Sequence, residues 1–139
     1  MQLTKHTDIS LRVLMHLAVE PEKLGTITDI AARHNMSRNH LMKVVHHLVG
    51  LGYLSSVRGR GGGISLAKPA SEINVGDVVR ATETTLDVVD CDAYACPLAR
   101  KCILKDALNE ATDAFLSVLD GYTVADLTRN RRQLLRLIR

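Results

Sequence analysis

The sequence predicts a mainly α-helical protein: a winged helix-turn-helix followed by a long C-terminal dimerisation helix. Three observations carry this expectation. Two short amphipathic segments are joined by the tight His34–Ser37 connection. Directly after them, two β-like runs flank Arg58-Gly59-Arg60-Gly61-Gly62-Gly63. Near the end, Leu104, Leu108, Ala111, Phe115 and Leu119 recur at helical spacing along one stripe.

Ile9–Val19 is rich in Leu, Val and Met, with Arg12 and His16 the residues polar enough to face water; it reads as a largely buried first helix ended by Pro21 and Gly25. Thr26-Ile27-Thr28-Asp29 has capping-box spacing and opens a second helix that ends near Asn35. Ser37 caps a third helix with an apolar stripe of Leu41, Val44, Val45 and Leu48, stopped by Gly50 and Gly52. Tyr53–Val57 and Ile64–Leu66 read as strands. Four glycines in the six residues between them exclude a regular element and make a mobile tip carrying two arginines. Lys68-Pro69-Ala70 marks a hinge, and Val75–Thr82 a short helix with Val75, Val78 and Val79 inward. The long helix spans about Ile103 to Leu119, and its apolar stripe calls for a partner, either a second copy or the N-terminal half. Thr123-Val124-Ala125-Asp126 repeats the capping box and opens a final short helix.

Composition narrows the function. The chain has 139 residues, 46% hydrophobic and 3% aromatic, so stacking of bases or sugars on aromatic rings is a poor reading. No apolar run approaches the roughly 20 residues of a membrane span, which implies a soluble, cytoplasmic protein with no membrane partner. Net charge is only +3, but its distribution is uneven. From Ile30 to Ser71 there is no Asp or Glu, while Arg33, Arg38, Lys43, Arg58, Arg60 and Lys68 all fall there. An acid-free tract of this kind fits either a polyanion partner or a solvated basic face. The winged-helix pattern favours the first, with the third helix in a DNA major groove and the tip at a minor groove or phosphates. The DNA-contacting set is then Thr28, Ser37, Arg38, Asn39, His40 and Lys43 on the helices, with Arg58, Arg60 and Gly61 on the tip. A nucleotide-binding glycine loop would need a helix after it, and here a strand follows.

Cys91, Cys96 and Cys102 are the only cysteines, spaced C-x4-C-x5-C in the least regular part of the chain. An odd number cannot pair completely within one chain, which argues against a disulfide framework. The pattern lacks the second half of a structural zinc site. Ligation of a metal or an iron–sulfur cluster, redox-active thiols and structural cysteines are the readings it leaves. Joined to a winged helix, a thiolate site suggests a sensor that biases DNA binding.

Several runs now carry a resemblance: Met1-Gln2-Leu3-Thr4, Ser37-Arg38-Asn39-His40-Leu41, Val57 through Ile64, Lys68-Pro69-Ala70, Gly76-Asp77-Val78-Val79-Arg80 and Gly121 through Leu127. Together with the three cysteines they resemble the iron–sulfur winged-helix repressors of the IscR, RirA and NsrR kind over nearly the whole chain. The cysteine spacing and the Ser-Arg-Asn-His run are most similar to the nitric-oxide-sensitive members. The resemblance implies a homodimer on a palindromic operator. It also implies one iron–sulfur cluster per subunit, 2Fe–2S or 4Fe–4S, on Cys91, Cys96 and Cys102, with nitric oxide as the signal. Asp8 matches the place of an aspartate that serves some relatives as fourth ligand from the partner subunit; it equally suits a helix cap or first turn. Iron or cluster-status sensing and cluster-free thiol sensing are the alternatives. No constellation of catalytic residues stands out, so an enzyme is the weakest reading. The chain divides into a DNA-binding region over 1–68, a linker helix and cysteine loop over 69–102, and the dimerisation and C-terminal helices over 103–139.

Overall fold

The computed structural model describes residues 2–138 except 94, 99 and 100. It is mainly α-helical: α1 (Lys5–Val19), α2 (Ile27–Arg33), α3 (Arg38–Gly50), the hairpin β1 (Leu54–Val57) and β2 (Gly63–Leu66), then α4 (Val75–Thr82), α5 (Ile103–Asp120), α6 (Val124–Leu127) and α7 (Arg131–Leu137). The strands pair antiparallel with Leu54 opposite Leu66 and Val57 opposite Gly63. Strand β2 is tied to the α1–α2 connection by two bonds between Gly25 and Ile64, at 2.9 and 2.8 Å. This is a winged helix-turn-helix.

One core joins the reading helices to the later ones. Ile9, Val13 and Leu14 of α1 pack with Ile30 of α2, Leu41, Val44 and Leu48 of α3, Ile64 of the wing, Val78 of α4 and Val124 of α6. Buried apolar area of this kind is the main stabilising term, and each large side chain contributes on the order of 1.5–3 kcal/mol. The C-terminal half is fastened to α4 by polar contacts. Arg80 donates to both carboxylate oxygens of Asp120, at 2.6 and 2.7 Å, and Asn74 Nδ2 donates to the Asp120 carbonyl at 2.7 Å. Gly76 makes the approach possible, since a Cβ there would lie 1.9 Å from Asp120 Oδ1.

Several expectations need correction. The first helix begins at Lys5 rather than Ile9, because Thr4 caps it by accepting from the Thr7 amide. His16 does not face water; it is buried against His34. The second helix stops at Arg33, after which Asn35 adopts φ +50°, a left-handed turn that asparagine tolerates. Only half of its capping box forms: Thr26 accepts from the Asp29 amide, while the Asp29 carboxylate lies 2.8 Å from Arg33 Nε. Lys68-Pro69-Ala70 leads into a 3-10 turn, Ala70–Glu72. The final helix is two helices; Thr123 and Asp126 complete a capping box for α6 alone, and α7 follows separately. On α5 the residue that enters the core is Leu116, which lies off the Leu104–Leu119 stripe, while Ile103, Leu104 and Val118 are 84%, 64% and 62% exposed.

Leu14, fully buried where α1 crosses the core, sets a clear expectation. Leu14→Ala should lower the unfolding free energy by about 2–5 kcal/mol, through lost transfer energy and the residual cavity. Leu137→Ala, at an exposed position, should stay within about 0.5 kcal/mol. Denaturant titration of both variants checks the pair.

Candidate DNA interface and thiolate loop

α3 presents its reading face through helical spacing. Ser37 Oγ accepts from the His40 amide at 3.5 Å and so fixes where the helix starts. Leu41, Val44, Val45 and Leu48 then face the core, leaving Arg38, Asn39 and Lys43 exposed and His40 half-buried. Met42 and His46 are exposed on the same outward side, four and eight residues on from Arg38. Thr28 is exposed in the first turn of α2. At the wing tip Gly59 and Gly61 take φ +100° and +78°, and the Gly62 amide donates to the Gly59 carbonyl at 3.0 Å. A Cβ on Gly62 would meet the Val57 carbonyl oxygen at 2.2 Å, so the turn demands glycine there as well. Arg58, Arg60 and Gly61 are all exposed on this tip.

The cations of the acid-free tract are not equally available. Lys68 Nζ lies 4.9 Å above the Tyr53 ring at the base of the wing. Arg33 is held against Asp29, close enough for an ion pair although Nε has no aligned hydrogen bond, and its Nη1 donates to the Ile138 carbonyl at 2.7 Å. Among the described residues, Arg38, Lys43, Arg58 and Arg60 have no carboxylate partner, and these four remain for phosphate or base contacts.

The cysteine loop leads into α5. All three cysteines are free thiols and partly buried. The Cys96 amide donates to the Cys91 carbonyl at 3.1 Å, closing a turn in which Ala95 has φ +44°. Cys102 is the N-cap residue of α5, with no side-chain capping bond. Among the described residues, no three His, Cys, Asp or Glu side chains converge as a ligand set. Asp8 lies in the first turn of α1, about half exposed, and accepts from Arg12 Nε at 2.9 Å. Thr4, not Asp8, is the cap.

A network that sequence reasoning did not see links the start of this loop to the reading helix. Glu83, just past α4, accepts from the Thr4 amide at 2.8 Å and from the Thr4 hydroxyl at 3.1 Å. Thr82 Oγ1 donates to Thr7 Oγ1 at 2.9 Å in the interior. Two residues into α1, His6 Nε2 and His47 Nδ1 of α3 share a hydrogen bond at 2.9 Å. A second pair, His16 Nδ1 and His34 Nε2 at 3.1 Å, ties α1 to the end of α2. Burial first, and then the neighbouring His34 and Arg33, lowers the His16 pKa below its ordinary value. Burial, then Arg12 and Arg33, lowers that of His34. One ring of each pair donates and the other accepts, so the accepting nitrogen of each bond carries no proton.

These observations meet the comparisons with known proteins. A family model described as Rrf2, iron-dependent transcriptional regulator, matches residues 3–130. The chain belongs to the Rrf2 family. It is 46% identical over 143 residues to the HTH-type transcriptional regulator NsrR of Bacillus subtilis, covering all of this chain and 98% of that protein. It is 48% identical over 143 residues to the NsrR of Geobacillus kaustophilus, covering all of this chain and 97% of that one. Its fold is similar to that of CymR, the global cysteine regulator of B. subtilis, with a TM-score of 0.72 and 26% identity over 91% of this chain and 95% of that one. It is a DNA-binding transcriptional repressor of this family and not an enzyme. Among the described residues no helix is long and apolar enough to cross a membrane.

The histidine pairs make stability depend on pH. Unfolding frees His16 and His34 to take up protons that the folded chain refuses, so the unfolded state binds more protons and stability rises with pH. The stabilisation is complete above the ordinary histidine value of 6.5 and is lost as pH falls below it. The thermal midpoint should therefore drop between about pH 8 and about pH 5, and His34→Gln should flatten the drop. An unchanged pH profile in His34→Gln contradicts the neutral pair.

Proposed function

We propose that this chain is a cytoplasmic, homodimeric repressor whose grip on a palindromic operator is governed by an iron–sulfur cluster that reacts with nitric oxide. The cluster is of the 2Fe–2S or 4Fe–4S type, one per subunit. The observation that carries the reading is the confinement of all three cysteines, free and partly accessible, to the irregular loop that leads into α5. Three soft thiols with no disulfide, one of them at a helix N-terminus, suit iron–sulfur ligation in their chemistry. The C-x4-C-x5-C spacing and the 46% and 48% identity to regulators named NsrR support nitric oxide as the signal. When bound, the cluster supplies the centre that reacts with nitric oxide.

The chain's own residues have defined parts in this reading. Cys91, Cys96 and Cys102 hold the cluster as thiolates, and Asp8 of the partner subunit completes the set with a carboxylate, exchanging its ion pair with Arg12 for the new bond. The exposed apolar side of α5, with Ile103, Leu104 and Val118, docks on a second copy. Thr28, Ser37, Arg38, Asn39, His40 and Lys43 face the major groove. Arg58, Arg60 and Gly61 reach the minor groove or adjacent phosphates. Region 1–68 thus reads DNA, 69–102 senses, and 103–139 pairs the subunits. Glu83 and His47 connect the sensing loop to the reading helix through the first turn of α1.

An anaerobic absorption spectrum with iron and sulfide assays tests the reading. The wild-type protein should be coloured and contain both elements, and nitric oxide should change the spectrum. Cys91→Ala, Cys96→Ala and Cys102→Ala should each fold yet lose the absorbance together, because the thiolates act as one set. Asp8→Ala should keep a cluster with an altered spectrum, and Asp8→Cys should slow its reaction with nitric oxide. A colourless, iron-free protein that still represses would overturn the cluster and leave a thiol sensor.

A further inference from the structure

We propose that the arginine-bearing face of α7 is a second contact surface for nucleic-acid phosphates, fixed beside the helix-turn-helix and lengthening its footprint on duplex DNA. The proposal rests on the DNA-binding reading above and adds a surface that the winged-helix comparison does not include. Its first support is charge. Residues 127–139 carry Arg129, Arg131, Arg132, Arg136 and Arg139 and no Asp or Glu. Between this tract and the acid-free reading region, residues 72–126 hold four Lys and Arg against eleven Asp and Glu. Positive charge is therefore gathered into two tracts separated by an acidic one.

The structure brings the two basic tracts together. Leu134 and Ile138 line a small apolar pocket with Met15, His16 and Val19 of α1 and His34 at the end of α2. The Ile138 carbonyl accepts from Arg33 Nη1 of α2 at 2.7 Å. His34 begins the turn that ends at Ser37, the cap of α3, so α7 is anchored at the connection between the two reading helices. On a helix of 3.6 residues per turn, Arg132 and Arg136 project from the side opposite Leu134 and Ile138. Arg131, Arg132 and Arg136 are exposed, and among the described residues only Arg129 of this tract has a carboxylate partner, Asp126. The abundant acids of the middle segment thus leave this face open. Guanidinium groups fit phosphate oxygens as a two-pronged donor, and a cationic face anchored to a DNA reader meets phosphates more readily than any other polyanion. The competing occupant is the acidic segment of a second copy.

Binding of the full-length protein to a mixed-sequence duplex of about 40 base pairs, measured across a salt series, separates these cases. The Arg132→Gln/Arg136→Gln double variant should reduce the slope of log K against log salt by about 1.8, from roughly 0.9 per lost phosphate contact. Replacing both by Lys should restore most of the slope, since charge and not folding is at stake. Arg38→Gln serves as the reference for the reading helix. If wild type binds this duplex and Arg38→Gln weakens it while the α7 variant keeps the wild-type slope, the α7 surface is refuted and the DNA-binding reading stands. If wild type does not bind the duplex even at low salt, the DNA-binding reading itself fails. A slope unchanged in the α7 variant together with loss of dimer in light scattering assigns the face to a second copy and overturns the proposal.

Discussion

The first turn of α1 is the constraint on which the rest of the molecule depends. Within four residues it meets two distant parts of the chain: the end of α4, through Glu83 at Thr4 and Thr82 at Thr7, and α3, through His47 at His6. The Glu83 carboxylate accepts from the amide and the hydroxyl of Thr4 at a helix N-terminus, where the helix dipole favours negative charge. The Thr7–Thr82 bond is fully interior, and Thr82 Oγ1 also lies 2.7 Å from the Val78 carbonyl, so a short buried chain of hydrogen bonds joins α4 to α1. Because α1 continues into the core with Ile9, Val13 and Leu14, any displacement of its first turn is carried against α3 and α4 rather than absorbed locally.

This arrangement gives physical content to the idea of a sensor. The loop bearing Cys91, Cys96 and Cys102 has little packing of its own, whereas both ends are fastened: one by Glu83 to α1, the other by α5, whose far end Arg80 clamps through Asp120. A segment anchored at both ends and loose between them responds to ligation by tightening, and its anchors feel the change. Asp8, the fourth ligand in the proposed reading, lies on the same turn, four residues from the Glu83 contact. A hundredfold change in DNA affinity requires only about 2.7 kcal/mol of differential stabilisation, within reach of a few such bonds.

What could be read from the sequence was what short-range chemistry encodes. Thr26, Ser37 and Thr123 announce their helices because a cap acts over three residues, and the glycine-rich tip announces a turn for the same reason. Val75–Thr82 was legible residue for residue, since its valines follow one helical face. The start of α1 was not, because part of what satisfies its end comes from Glu83, 79 residues away. The histidine pairs were equally hidden, with partners 41 and 18 residues apart and no periodic signature. On α5 the periodicity marked a stripe whose residues stay half-buried or exposed rather than Leu116, the residue that the chain itself buries. The cysteines stand out in the sequence through spacing alone, whereas the described residues do not bring three ligating side chains together, because convergence is a tertiary matter that spacing does not contain.

Amide hydrogen exchange of the full-length protein, compared between wild type and Glu83→Gln, tests the shared role of the first α1 turn most directly. Replacing the carboxylate weakens a charge-assisted contact without removing the side chain. If α1 transmits between the loop and the reading helix, exchange should quicken both in residues 4–8 and in α3 around His47, more than thirty residues from either altered neighbour in sequence. Faster exchange confined to residues 4–8 and the segment around 83, with α3 unchanged, would contradict it.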